Sequence, residues 1–148
     1  MRISAKGRYA LAAAIHMAQQ FNNGEYITVI SISERLGISK IYLEQVFSLL
    51  KRGGLVNSVK GSQGGYQLSR MPGRITVLDV LTAVETSLFE QTEDTVREKA
   101  PDIETAMRLT AFDVLDKSVQ SALGQVTLDD LVTEADKHKG EDALMFYI

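Results

Sequence analysis

The chain has 148 residues, 45% of them hydrophobic, and a net charge of −3, enough to bury one moderate core with an appended element rather than two full domains. It contains no cysteine, which excludes disulfides, thiol catalysis and thiolate-held clusters, and His16 and His138 fall in no metal-ligand spacing, so no metal or cofactor is expected. No apolar run approaches the roughly 18 residues of a membrane span and the start lacks the apolar core of a signal peptide, so the cytoplasm is the expected compartment.

Residues 4–20 read as a helix starting at Ser4, rich in alanine and therefore slim enough for close packing. Leu11, Ile15 and Ala18 form one apolar row and Tyr9, Ala13 and Met17 another, which predicts contact with two neighbouring elements. Arg2, Lys6 and Arg8 gather at its start, where helix amides also favour a phosphate. Asn22, Asn23 and Gly24 mark a turn, and Tyr26 and Ile27 suit a short edge strand. Thr28 then caps a helix with Val29, Ile32 and Leu36 at helical spacing, ended by Gly37 in a left-handed turn. Ser39 caps the next helix, whose stripe is Leu43, Val46, Phe47 and Leu50, and Gly53 and Gly54 stop it.

Two helices joined by about three residues with a glycine form a helix-turn-helix, whose second helix enters the major groove. Its outward face carries Ser39, Lys40, Ile41, Glu44, Gln45 and Ser48, suited to base edges and phosphates; an ordinary solvated amphipathic helix has the same look. Residues 55–60 and 66–70 have strand composition, and Gly61, Ser62, Gln63, Gly64 and Gly65 supply the hairpin loop. Lys60 and Arg70 make its flanks basic, so this wing can reach a neighbouring groove or phosphate strand.

These residues carry a resemblance. Lys6, Gly7, Arg8, Tyr9 and Ala10, then Gly37, Ile38 and Ser39 followed by Tyr42, Leu43, Glu44 and Gln45, then Gly54, Leu55 and Val56, then Gly61 with Gly64, Gly65 and Tyr66, are together similar to the bacterial transcription factor family that includes IscR, NsrR and CymR. The likeness spans residues 1–86 and continues more loosely over 102–132. It implies a winged-helix DNA-binding protein in which Glu44 contacts a base. Relatives often have Ser or His at position 41 and usually Arg at position 60; Ile41 and Lys60 stand here, so the resemblance does not carry the operator sequence over.

After the wing, Pro72 and Gly73 break the chain, and Thr76 with Asp79 forms a capping box ahead of Val77, Val80, Leu81 and Val84. Residues 87–101 are polar and aperiodic and read as a linker; the cluster-binding members of the resembled family place three cysteines here, and this chain has none. Over 102–123, Ile103, Met107, Ala111, Val114, Ser118 and Ala122 keep helical spacing, widened by Leu115, Val119 and Leu123. Twenty-odd helical residues reach about 33 Å, too long for the stripe to hide on one small domain, so pairing with a second copy is expected, with an internal helical hairpin as the alternative. Thr127 and Asp130 open a further short helix. The chain closes on a polar run and then Leu144, Met145, Phe146, Tyr147 and Ile148, which either fold back or are captured by a partner. This ending resembles the CymR branch, where the tail is linked to docking on O-acetylserine sulfhydrylase.

The fold class expected is therefore α+β, mainly α. It comprises a winged helix over 1–86, a linker over 87–101, a dimerisation helix and short helix over 102–136, and a tail over 137–148. Charge supports this division: residues 1–74 hold ten Lys and Arg against three acids, a balance of +7, and residues 75–148 six against sixteen, a balance of −10. A basic first half suits DNA. The function expected is a homodimeric, sequence-specific transcriptional regulator, a repressor of genes of sulfur or cysteine metabolism, acting on an inverted-repeat operator. Glu44 and Gln45 would read bases while Arg2, Arg8, Lys40 and Lys60 hold phosphates. The competing function is a protein-interaction module working through its tail. No enzyme motif is present.

Overall fold

The computed structural model describes residues 2–21, 25–61 and 64–141. The turn expected at Asn22, Asn23 and Gly24, the loop residues Ser62 and Gln63, and the tail residues Met145, Phe146, Tyr147 and Ile148 lie outside these.

Local capping sets the first half. Helix α1, Ala5–Gln19, starts where the Ser4 hydroxyl accepts from the Gly7 amide at 3.1 Å. Helix α2, Val29–Leu36, starts where Thr28 accepts from the Ser31 amide at 3.1 Å, and it ends at Gly37, whose φ of 69° is the left-handed turn expected there. Helix α3, Lys40–Arg52, is capped by Ser39, which accepts from the Tyr42 amide. Strands β1, Val56–Val59, and β2, Gly65–Leu68, pair antiparallel with Val56 opposite Leu68 and Val59 opposite Gly65. The edge strand foreseen near Tyr26 is a single bridge, in which Ile27 and Tyr66 exchange both backbone hydrogen bonds at 2.8 and 2.9 Å.

A 3-10 turn over Pro72–Arg74 leads to α4, Val77–Val84, which opens with the full capping box of Thr76 and Asp79. Arg70 does not extend the basic edge of the wing. Its Nη2 donates to Asp79 Oδ2 at 3.1 Å and its Nε to the Arg74 carbonyl at 2.8 Å, so it holds the wing's exit against α4.

The core lies between these elements. Ala10, Ala13 and Met17 of α1, Ile32 of α2, Leu43, Val46, Phe47 and Leu50 of α3, Leu55, Val56 and Leu68 of the hairpin, and Val80 and Val84 of α4 are all buried. The Phe47 ring stacks on Tyr66 with centroids 4.6 Å apart, which fixes the wing against α3.

Beyond α4 the chain leaves this core and returns to it. Helix α5, Pro101–Met107, a π turn, Arg108–Phe112, and helix α6, Asp113–Gly124, follow one another with right-handed helical backbone at both junctions, as one rod. Helix α7, Leu128–Lys137, opens with the capping box of Thr127 and Asp130. The sequence groups α7 with the rod, yet α7 packs on α1 and the 3-10 turn, and Leu128 is fully buried in the first domain's core. Backbone bonds from Val77 to Val126 and from Leu128 to Ile75, both 2.9 Å, tie the start of α7 to the start of α4. The linker and the rod thus form a long excursion between two elements of one core.

Candidate nucleic-acid interface

The buried side of α3 dictates its exposed side. With Leu43, Val46, Phe47 and Leu50 facing the core, helical geometry turns Lys40, Ile41, Glu44, Gln45 and Ser48 to solvent. Ile41 is 73% exposed, the highest value among the large hydrophobic residues described. A β-branched apolar side chain so placed presents its methyl groups to solvent at the edge of the groove with Glu44 and Gln45.

Two shallow grooves flank α3, and Glu44 borders both. One is lined by Lys6 of α1 with Ile41, Glu44, Gln45, Ser48 and Leu49. The other runs between α3 and the wing, past Lys40 and Glu44 to Ser58, Val59, Gly61 and Gly64. Lys40 Nζ lies 3.7 Å from Glu44 Oε1, one helical turn away, with both side chains 54% exposed. An exposed pair of that kind contributes little to stability, so the carboxylate remains free to exchange its lysine for another donor.

The structure places the sequence-derived residues unevenly. Lys6, Lys40, Ile41, Glu44, Gln45 and Ser48 come together on the two grooves, and Ser39 sits exposed at the helix start. Arg2, Arg8 and Lys60 are exposed but border neither groove; Arg2 and Arg8 flank the start of α1, and Lys60 follows β1. The start of α1 is set against α3 by the Tyr9 and Tyr42 rings, which meet edge to face at 5.1 Å. Sequence reading missed Tyr42 as a spacer, since an aromatic on a helix flank carries no distinguishing pattern.

Two acids escaped notice altogether. Glu85, at the end of α4, is buried and its Oε1 accepts from both the backbone amide and the hydroxyl of Ser4. Glu104, on α5, is 0% exposed, and its Oε1 accepts from the amides of Thr95 and Val96. Those amides, Val96 first and then Thr95, pull its pKa below the ordinary carboxylate value. Beside it Arg108 donates to Asp94 and to the Thr92 carbonyl, and Asp94 also accepts from Arg97 at 2.7 Å. The stretch read as a linker is therefore fastened to the rod by charge.

Among the described residues, neither histidine stands in a group of three or more that could hold a metal ion. Burial and then Arg35 push the pKa of His16 down, while His138, between Glu141 at 2.8 Å and Glu134 at 3.1 Å, is pushed up.

A helix-turn-helix with its second helix exposed beside a glycine-tipped hairpin defines a winged-helix protein. Residues 3–134 match the model of the Rrf2 family, described as iron-dependent transcriptional regulators, and the chain belongs to that family. It is 39% identical over 132 residues to the HTH-type transcriptional regulator IscR of Xenorhabdus nematophila, spanning 89% of this chain and 79% of that protein. Its fold is similar to that of CymR, the global cysteine regulator of B. subtilis, with a TM-score of 0.70 and 32% identity over 90% of this chain and 98% of that one. It is also similar to T. potens IscR, at a TM-score of 0.68 and 33% identity, over 94% of this chain and 91% of that one. The relatives named are transcriptional regulators, and so is this chain. No helix among the described residues is long and apolar enough to cross a membrane.

The iron in the family's description does not fit the residues present. The chain has no thiolate to offer, and among the described residues no three or more His, Asp or Glu stand together as a metal would need.

Proposed function

We propose that this regulator acts as a homodimer on double-stranded DNA, reading an inverted-repeat operator through α3 and holding phosphates with Arg2, Lys6, Arg8, Lys40 and Lys60. The observation that carries the reading is the clustering of Lys6, Lys40, Ile41, Glu44, Gln45 and Ser48 on the two grooves of one exposed helix. Glu44 accepts from a cytosine amino group, Gln45 and Ser48 reach adjacent edges, and the lysines meet backbone oxygens. Ser62 and Gln63, which the sequence assigns to the hairpin loop, serve the flanking groove in this reading. Dimerisation runs through the rod, where α6 has no buried residue and Ile103, Val114 and Leu115 leave an apolar stripe open to a second copy. DNA binding proceeds without bound metal, so chelators leave it unchanged. Occupancy of an operator by such a dimer blocks transcription, which makes repression the primary mode.

Selection of bound sequences from a random DNA pool tests the reading. The selected site should be an inverted repeat with half-sites about one helical turn, or a multiple of it, apart. Glu44→Ala should relax preference at one base position and cost roughly 1–3 kcal/mol per half-site. Lys60→Ala should weaken all sequences alike and reduce the slope of log affinity against log salt by about one per lost phosphate contact. Equal losses on every sequence in both variants would remove Glu44 from base reading.

The likeness to CymR supports control of sulfur or cysteine metabolism. It also supports a second reading, in which Met145, Phe146, Tyr147 and Ile148 dock on O-acetylserine sulfhydrylase. Capture of that enzyme should disappear on replacing Tyr147 and Ile148 by alanine while operator binding persists; capture that survives the change would refute the docking.

A further inference from the structure

The start of α1 and the end of α4 meet at one carboxylate. Glu85 is 8% exposed and stands at the C-terminal cap of α4, immediately before the linker. Its Oε1 accepts from the Ser4 amide at 3.2 Å and from the Ser4 hydroxyl, while the same hydroxyl accepts from the Gly7 amide at 3.1 Å and caps α1. Ser4 is thereby held from both sides. Gly7 completes the arrangement, because a Cβ at that position would collide with Glu85 Oε1. With a larger residue there, either the Glu85 carboxylate or the helix start has to shift.

What this contact positions lies on either side of it. Arg2 is two residues before Ser4; Lys6 and Arg8 flank Gly7, and all three basic side chains are exposed. Lys6 also borders the groove with Ile41, Glu44 and Gln45. Helix starts fray unless capped, since their first amides have no partner within the helix. Long basic side chains on a fraying turn would have to lose both backbone and rotamer freedom on meeting a phosphate.

We propose that Glu85 is a positioning residue for DNA binding: through Ser4 it fixes the first turn of α1, so that Arg2, Lys6 and Arg8 meet the phosphate backbone in register with α3. This rests on the DNA-binding reading above and deepens it. It also runs against simple electrostatics. A negative charge this close to a phosphate contact repels DNA, so removing it would tighten binding if geometry were unaffected. The positioning role predicts the opposite sign.

The test uses the full chain on its selected operator, with affinity measured over a series of salt concentrations. Glu85→Ala and Ser4→Ala should each weaken binding about three- to tenfold and flatten the slope of log affinity against log salt by about one or more per half-site, as phosphate contacts are lost. Because both act through one contact, the double variant should bind no worse than the weaker single variant. Ser4→Thr, which keeps the hydroxyl, should behave as the wild type. Ser4 is exposed, so its variants remain informative should Glu85→Ala fail to fold. Tighter binding, additive losses, or an unchanged salt slope with only a lowered melting temperature would overturn the proposal and leave DNA binding standing. A wild-type chain that selects no DNA would overturn the function itself.

Discussion

The winged helix and the rod are built from the same kinds of residue to opposite ends. In the first, α1 to α4 and α7 surround Phe47, Ile32, Leu43, Leu128 and their neighbours until those side chains have no exposure left. In the second, α5 and α6 present Ile103, Val114 and Leu115 at 54, 52 and 59% exposure, and the residue most hidden is the carboxylate Glu104. One region satisfies its apolar surface within the chain. The other satisfies its charges within the chain and leaves its apolar surface open. That exposed apolar side is the surface on which the proposed pairing of two copies rests.

The largest effect that would break this contrast is in the core. Phe47→Ala removes a buried ring and its stack on Tyr66, so it should cost about 3–5 kcal/mol in urea unfolding. Truncating Leu115 in the same way should cost less than about 0.5 kcal/mol at protein concentrations too low for association. The rod already touches its own domain where α6 meets α4; similar losses at the two positions would show that Leu115 is packed there rather than left open.

Charge on the rod should act differently. Val114→Glu or Ala111→Glu should leave unfolding nearly unchanged but yield monomers in sedimentation, with operator affinity down about 10²-fold or more because two half-site contacts are no longer linked. A wild-type chain that sediments as a monomer at micromolar concentration would end the argument for pairing.

Within the winged helix, the exposed Ile41 can be tested one methyl group at a time. Replacing the operator's thymines by uracil, singly, removes only the C5-methyl. One position should lose roughly three- to tenfold in affinity for the wild type and nothing for Ile41→Ala. Equal sensitivity in both proteins would take Ile41 out of the interface.

The smallest effect sharpens the account of the linker. The amides of Val96 and Thr95 stabilise ionised Glu104, so its pKa in the fold lies below the ordinary value of 4.5. A depressed carboxylate contributes stability that is full above 4.5 and lost as pH falls through the lower, folded value. In an NMR titration those two amide protons should shift together with a midpoint under 4.5. A midpoint at or above that value would mean the linker is not fastened there.

Much of the winged helix was legible in the sequence because its signals are local. Thr28, Ser39 and Thr76 each cap a helix through an amide three residues on, and Gly37 adopts its left-handed turn regardless of what lies around it. The exposed face of α3 followed from the stripe that had to be buried. Long-range polar pairing left no such trace. Ser4 and Glu85 are separated by 81 positions, and nothing near either announces the other. Asp94 lies inside the aperiodic stretch and Arg108 beyond it on the rod, so their pairing could not be read from spacing. The capping box of Thr127 and Asp130 revealed that α7 exists but not which core it joins, since a helix's start signal carries no address.

The π turn at Arg108–Phe112 sets the phase of the rod. At 3.6 residues per turn, with Ile103 as zero, Ile103 and Met107 would centre near about 20° on an unbroken α-helix, and Val114, Leu115, Ser118, Val119, Ala122 and Leu123 near about 110°. A π turn takes in one extra residue for the same rotation, which sets the later group back by about 100° and brings both groups within roughly 10° of a common line. The rod therefore carries one straight apolar edge where the same residues wound evenly would carry two. Deleting a single residue between 108 and 112 would rotate its far half by about a quarter-turn and part the two apolar groups onto different faces.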